Sequence, residues 1–198
     1  MNLNSILIRF LDIALATILL IVIGWFILLC AFYAGIDTKA SGFYRQERVG
    51  RNGNLFYIFK IRTMRIVGEM SSNTTIHGDP RVTNFGGYLR KLKIDELPQL
   101  LNVLKGEMSF VGPRPTVLID FTRMNERQRL RVKVRPGITG LAQISGNTSL
   151  SWPERIELDL IYAQKPSLKN NIIIMFKTFL LIATNNAHTD PVGEDEWK

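Results

Sequence analysis

The sequence predicts a mixed α/β fold: a compact domain with a short β-hairpin and several amphipathic interfacial helices, carrying an N-terminal membrane-inserted helix. Three observations predict it. Residues 13–34 contain no charged side chain. Two strand-like runs, FYRQERV and LFYIFKIRTM, flank a GRNGN turn. Leu97, Leu100, Leu101 and Leu104 recur at the i, i+3, i+4, i+7 spacing of an amphipathic helix. The chain divides accordingly into an anchor (1–38), a catalytic-sized domain (39–184) and a polar tail (185–198).

The apolar stretch IALATILLIVIGWFILLCAFYA comes first. At ~1.5 Å rise per residue it makes roughly 33 Å of helix, close to the thickness of a bilayer core. It has no polar stripe, as a soluble core helix would. It is longer than the apolar run of a cleaved leader and lacks a clean small-x-small site. Arg9 precedes it, and Lys39, Arg45, Arg48 and Arg51 follow. Positive charge on both flanks selects no simple spanning orientation. A helix that enters and returns on the same side suits both, with Gly24-Trp25 as its weak point.

Residues 43–64 read as a hairpin turning at Asn52-Gly53. Phe56, Ile58, Lys60 and Arg62 share a face at period 2, which would project two cations together. Residues 66–80 read as a polar loop, and residues 88–93 as a short helix. In IDELPQLLNVLKG, Pro98 must lie in the first helical turn, where its missing N–H is harmless. That puts Asp95 near the N-cap and Glu96 just inside, with Gly106 closing the helix. MSFVGPRP reads as a strand and a rigid loop. Residues 117–135 read as a basic helical run, and RPGITGLAQISG as turn, strand, turn. WPERIELDLIYAQK is a helix begun by Pro153. Residues 172–183 are too short to span a bilayer and fit an interfacial or core helix.

Composition narrows the chemistry. With 46% hydrophobic and 21% charged residues, the 198-residue chain is too apolar to be disordered. One cysteine, Cys30, excludes an internal disulfide framework and a Cys-rich zinc module. His77 and His188 are isolated and match no zinc spacing. The net charge of +8 implies an anionic partner: nucleic acid, a phospholipid surface or a phosphate-rich substrate.

Two local patterns could carry chemistry. Asp95-Glu96 at a helix N-terminus is either a cap with a dipole-friendly neighbour or an ionised pair beside a phosphate site. Arg114, between Pro113 and Pro115, is either a structural arginine or a guanidinium aimed at phosphate. The basic residues of 123–135 read as a solvated or headgroup-facing helix face. Arg135, at the start of the following turn, is the best candidate among them for a site role.

Taken together, RFLD at 9–12, FKIRTM at 59–64, LRKLKIDELPQLLNVLKGEMSFVGPRP at 89–115 and VRPGITGLAQISG at 134–146 resemble the bacterial sugar transferase family. These are small monotopic phosphoglycosyl transferases. The resemblance runs from about residue 8 to about 184. It implies transfer of a sugar-1-phosphate from a UDP-sugar to a membrane polyprenyl (undecaprenyl) phosphate. UMP is released, and the route is an aspartyl-phosphosugar intermediate with Mg²⁺ as cofactor. On matching positions, Asp95 is the implied nucleophile and Glu96 its partner in metal binding or acid/base work, so both are the implied metal ligands. Lys60, Arg90, Arg114 and Arg135 are the expected substrate-binding cations, with Pro113, Gln143 and Thr63 as weaker contributors. The implied location is the bacterial inner membrane, with the catalytic domain on the cytoplasmic face, where a basic body suits the anionic leaflet. Membrane lipids are expected partners and nucleic acid is not. Family members commonly break the membrane helix at Ser-Pro, where this chain has Gly24-Trp25. Two competing readings are a membrane-anchored basic adaptor without catalysis, and direct attack of the lipid phosphate on the sugar nucleotide.

Overall fold

The computed structural model describes residues 3–66 and 79–184. The polar loop expected over 66–80 falls mostly outside them, as do the tail from 185, His77 and His188. Mixed α/β architecture is what results, mostly helical, with two small sheets. Helix α1 (Leu3–Thr38) leads into an antiparallel hairpin, β1 (Phe43–Val49) and β2 (Leu55–Ile61). Then follow α2 (Asn84–Lys91), a 3-10 turn (Ile94–Gln99), α3 (Leu100–Lys105) and β3 (Ser109–Val111). Among the described residues there follow α4 (Leu118–Arg123), α5 (Glu126–Arg129), a 3-10 turn (Leu130–Lys133), β4 (Gly137–Thr139), α6 (Leu141–Ile144), another 3-10 turn (Asn147–Ser149), α7 (Trp152–Gln164) and α8 (Leu168–Ala183).

The hairpin pairs Phe43 with Ile61 through Val49 with Leu55. Its connection is a short 3-10 turn in which Asn52 and Gly53 both take positive φ, 58° and 83°. This explains the Asn-Gly pair: few side chains tolerate that region. Arg62 lies beyond the end of β2. Its Nε donates to the Ser41 carbonyl at 2.7 Å and its guanidinium stacks on Tyr44. The two-cation face expected on β2 therefore reduces to Lys60.

The single amphipathic helix expected over IDELPQLLNVLKG is two segments. Lys93 adopts left-handed φ (57°) before the 3-10 turn, and α3 begins only at Leu100. Tight i→i+3 bonding carries the chain over Pro98, which cannot donate. Gly106 ends α3 at φ 86°, as its position suggests. The basic run is likewise divided. Asn125 caps α5 in a reciprocal pair with Gln128, and Met124 turns into the core against Ile156 and Leu160.

β3 and β4 form a parallel pair that the sequence reading did not anticipate, Ser109 beside Gly137 and Val111 beside Thr139. Backbones pass so closely there that a side chain on Gly137 would meet the Gly112 nitrogen at 2.1 Å. The glycines of VGPRP and RPGITG thus set the loop carrying Arg114 against β4.

α1 is about 54 Å long at ~1.5 Å per residue. It runs unbroken through Gly24-Trp25, so the glycine there marks no break in the helix. It is also the spine of the core. Ala16 packs with Phe56, Ile58, Leu100, Val103 and Met108, while Ile27, Cys30, Ala31 and Ala34 pack with Ile61 and Leu89. Both ends are tied to the same body. Arg9 donates to the carbonyls of Val103 (2.7 Å) and Leu104 (3.0 Å) in the last turn of α3. Asp12 accepts from the Phe110 amide at 3.2 Å. At the other end Gly42 lies against α1 so tightly that a side chain there would meet the Ala31 carbonyl at 1.8 Å. The opposite face of α1 exposes Phe10, Ile21, Trp25, Leu28 and Phe32, and α8 exposes Ile172, Phe176 and Phe179. Among the described residues, α1 is the one helix long and apolar enough to cross a membrane.

Gly42→Ala will force α1 and the start of β1 apart. We expect a loss of at least about 1–3 kcal/mol, the usual cost of overpacking, seen as a lowered Tm in detergent.

Candidate active site

Four segments converge on the turn that carries Asp95 and Glu96. β2 brings Lys60, and the chain just beyond it brings Thr63. α2 brings Arg90, the 3-10 turn carries the carboxylates, and the loop after β3 brings Arg114. Asn102, fully buried on α3, holds β2 in place. Its Oδ1 accepts from the Phe59 amide (3.1 Å), and its Nδ2 donates to the Tyr57 carbonyl (2.7 Å). Lys60 is thereby fixed beside the turn.

Glu96 is clamped from two sides. Its Oε1 accepts from Lys60 Nζ at 2.8 Å and from Arg114 Nη2 at 2.7 Å; its Oε2 takes Arg114 Nη1 at 3.4 Å. Burial alone would raise its pKa. Arg114 and Lys60, by charge and hydrogen bond, outweigh burial and hold the carboxyl well below the usual range. Asp95 is 7% exposed, and its carboxylate has no hydrogen-bond partner among the described residues. Burial and the negative charge of Glu96 raise its pKa; Lys60, Arg90 and Lys93 partly offset this. One carboxylate is thus locked as an anion, while its neighbour has oxygens free to react or ligate.

From sequence, these carboxylates are expected at a helix N-terminus. The turn is a short 3-10 segment capped by Lys93 with no side-chain cap, so side-chain cations supply the positive field. Arg90 is near Asp95 and donates from Nε to Thr63 Oγ1 at 2.7 Å. Arg135 is not brought to the carboxylates. Its Nε donates to the Gly106 carbonyl at 2.9 Å, and its charged neighbours are Arg9, Arg51 and Asp12. Pro113 contributes backbone, its carbonyl accepting from the Gly137 amide at 3.0 Å. Gln143, on α6, lines the same cavity as Glu96 and Arg114.

Three residues escaped the sequence reading. Lys93 sits two positions before Asp95, half-buried, with its pKa lowered by burial. Arg48 is largely enclosed; burial and the nearby Arg114 bring it down to about 10. Its Nη1 donates to the Pro115 carbonyl at 3.3 Å. Arg131, read as part of a solvated basic face, is 3% exposed and paired with the equally buried Asp159, Nε to Oδ2 at 2.9 Å. It also donates from Nη2 to the Arg114 carbonyl at 2.8 Å. The aim of Arg114 therefore depends on a buried ion pair behind it. The available signal was Asp159, a lone acid on the otherwise apolar DLIYA segment of α7.

The profile of the family described as bacterial sugar transferase matches residues 3–185. The chain is 36% identical over 195 residues to an uncharacterized sugar transferase of Haemophilus influenzae, covering 90% of this chain and 41% of that protein. It is 38% identical over 186 residues to the exopolysaccharide production protein ExoY of Sinorhizobium fredii, covering 86% of this chain and 82% of the relative. A UDP-glucose:undecaprenyl-phosphate glucose-1-phosphate transferase of Escherichia coli is 36% identical over 193 residues, 93% of this chain and 42% of the relative. The chain thus spans about two fifths of the length of some relatives and about four fifths of another.

Two outcomes follow from the ion pairs. Arg131→Met strands the Asp159 carboxylate in the interior and will cost about 3–5 kcal/mol; adding Asp159→Leu will recover most of the lost Tm. Because the folded-state pKa of Glu96 lies below its unfolded value of ~4.3, its clamp stabilises the protein above that pH. The contribution is lost as pH falls through the lower folded value. Arg114→Met will therefore cost less stability at pH 3 than at pH 6 in thermal melts.

Proposed function

The chain belongs to the bacterial sugar transferase family, and we propose that it moves a sugar-1-phosphate from a UDP-sugar to undecaprenyl phosphate through a covalent bond to Asp95. One observation carries this reading. Asp95 is a carboxylate with no hydrogen-bond partner among the described residues, beside a Glu96 already fixed by Lys60 and Arg114. A free carboxylate amid cations is the arrangement a nucleophile toward an anionic diphosphate requires.

In the first step an Asp95 oxygen attacks the phosphorus that bears the sugar. The bond from that phosphorus to the bridging oxygen breaks, and UMP leaves with the electron pair. In the second step a phosphate oxygen of the lipid attacks the same phosphorus. The acyl–phosphate bond breaks, polyprenyl-diphospho-sugar forms, and the carboxylate returns. Lys60, Arg90 and Lys93 partly offset the burial that raises the Asp95 pKa, and Arg114 would receive the diphosphate. Attack of one anion on another is the main obstacle, so the surrounding positive charge is the chief source of acceleration.

Asp95 and Glu96 are the residues that would hold Mg²⁺. No cluster of three or more acidic, His or Cys side chains occurs among the described residues. Two adjacent carboxylates nonetheless suit a cation that takes one or two protein oxygens and completes its shell from water and substrate phosphate. When bound, it supplies neutralising charge to the diphosphate and to departing UMP.

The acceptor is confined to lipid and the donor is in water, so the site must stand where the two meet. The exposed apolar faces of α1 and α8 support such a seat. The body grips α1 near both ends, at Arg9–Asp12 and at Ala31–Gly42, which favours insertion from one side over a perpendicular span. The cytoplasmic leaflet of the bacterial inner membrane is the proposed surface, given the basic body.

Asp95→Asn will abolish UMP release from a UDP-sugar and eliminate radiolabelled phosphosugar on the protein incubated without lipid. The fold will be preserved by circular dichroism. A variant that retains UMP release sinks the covalent reading. Activity without any adduct in the parent protein favours direct transfer, and no UMP release at all leaves the adaptor.

A further inference from the structure

A cleft of about 410 Å³ opens beside the carboxylates, in the size range of small-molecule sites. Its charged lining is Glu96, Arg114 and Lys93. The walls are aliphatic and aromatic: Leu15 and Leu19 from α1, Phe179 and Ile182 from α8, and Ile138 from β4. A hydroxyl pair on the wall, Thr139 with Thr178, is already satisfied internally at 2.7 Å. Gln143 is different. Its amide nitrogen and oxygen are both buried without a hydrogen-bond partner among the described residues, and the side chain lines the cleft. A side chain on Gly140 would crowd Gln143 Oε1 at 2.8 Å, so the backbone leaves that amide its space. A buried amide with neither atom paired is costly unless something completes it.

We infer that this cleft seats the first isoprene units of the lipid acceptor, with Gln143 reaching the phosphate end and the rest of the chain leaving between α1 and α8. This rests on the reaction proposed above and adds where the acceptor lies. The chemistry of the lining makes the choice. A nucleotide or sugar would strand its hydroxyls against Leu15, Leu19 and Ile182. An isoprenoid buries methyl groups there while its phosphate meets Arg114 and Lys93. The two helices that form the walls are also those with exposed apolar outer faces, so the cleft is continuous with the surface proposed to face lipid. The arrangement lets a hydrophobic tail slide in sideways without its head leaving the interface.

The test uses the full chain in nanodiscs and a polyprenyl phosphate bearing a diazirine on its second isoprene unit. Photolysis is expected to label α1 near Leu15–Leu19, α8 near Phe179–Ile182, or both, and excess undecaprenyl phosphate will suppress the label. Labelling confined to other segments overturns the inference. Because the readout needs no turnover, it still reports on the cleft if the transfer reaction proves wrong. In steady-state assays, Ile182→Trp, which fills the cleft, will raise the KM for undecaprenyl phosphate at least tenfold more than the KM for the UDP-sugar. Equal shifts in the two constants, or none, count against it. Should that variant fail to fold, Leu15→Trp on the facing wall gives the same comparison.

Discussion

The rest of the site depends on one buried carboxylate, Glu96, shared by Lys60 and Arg114. Neither cation is near it in sequence. One comes from the end of a β-hairpin and the other from a proline-bracketed loop beyond β3. Leaving such an anion unpaired would be costly, so the three segments must arrive together. Their meeting defines a wall of fixed charge, and Asp95, adjacent to Glu96 in the chain, is held beside it with its oxygens unpaired among the described residues. Support comes from further back. Asn102 steadies the strand that carries Lys60, and the Arg131–Asp159 pair holds the backbone of Arg114. The geometry around Asp95 and Glu96 is thus enforced by polar groups that stand behind it.

α1 serves two solvents at once. Ala16, Ala31 and Ala34 are small because β2, α2 and α3 press against them, and Phe10, Trp25 and Phe32 are large where nothing covers them. The hydrogen bonds from Arg9 and to Asp12 explain why ionisable groups are tolerated at one end of so apolar a helix. On the proposed reading, the same helix also forms half of the entry for the lipid substrate. Anchor, core wall and acceptor cleft are three surfaces of one element.

Much of this was legible from residue order. The long apolar run, the Asn-Gly hairpin, the Gly106 stop, the Pro153 start and the carboxylate pair with Lys60 and Arg114 all follow from local rules or from the family resemblance. What was not legible depends on tertiary placement. Whether a strand continues past Ile61 decides where Arg62 points, and period-2 spacing cannot see the strand's end. Arg131 and Arg129 look alike in a basic run; only Asp159, 28 residues later, makes one of them interior. Arg135 leaves its helix at a turn, as expected, and the carbonyl that accepts its Nε belongs to Gly106, 29 residues earlier and out of sight of local rules. The parallel β3–β4 contact joins two three-residue strands, too short for any alternation to register.

Ala16 has no accessible surface, although it lies in the middle of what looks like a detachable leash. The leash is therefore structural masonry. Trimming the chain to its polar portion would not liberate a water-soluble catalyst. It would leave Leu100, Val103 and Met108 facing a vacancy and the α3 carbonyls without their arginine. Solubilising this protein calls for redesigning the outward side of that helix while every inward side chain stays in place.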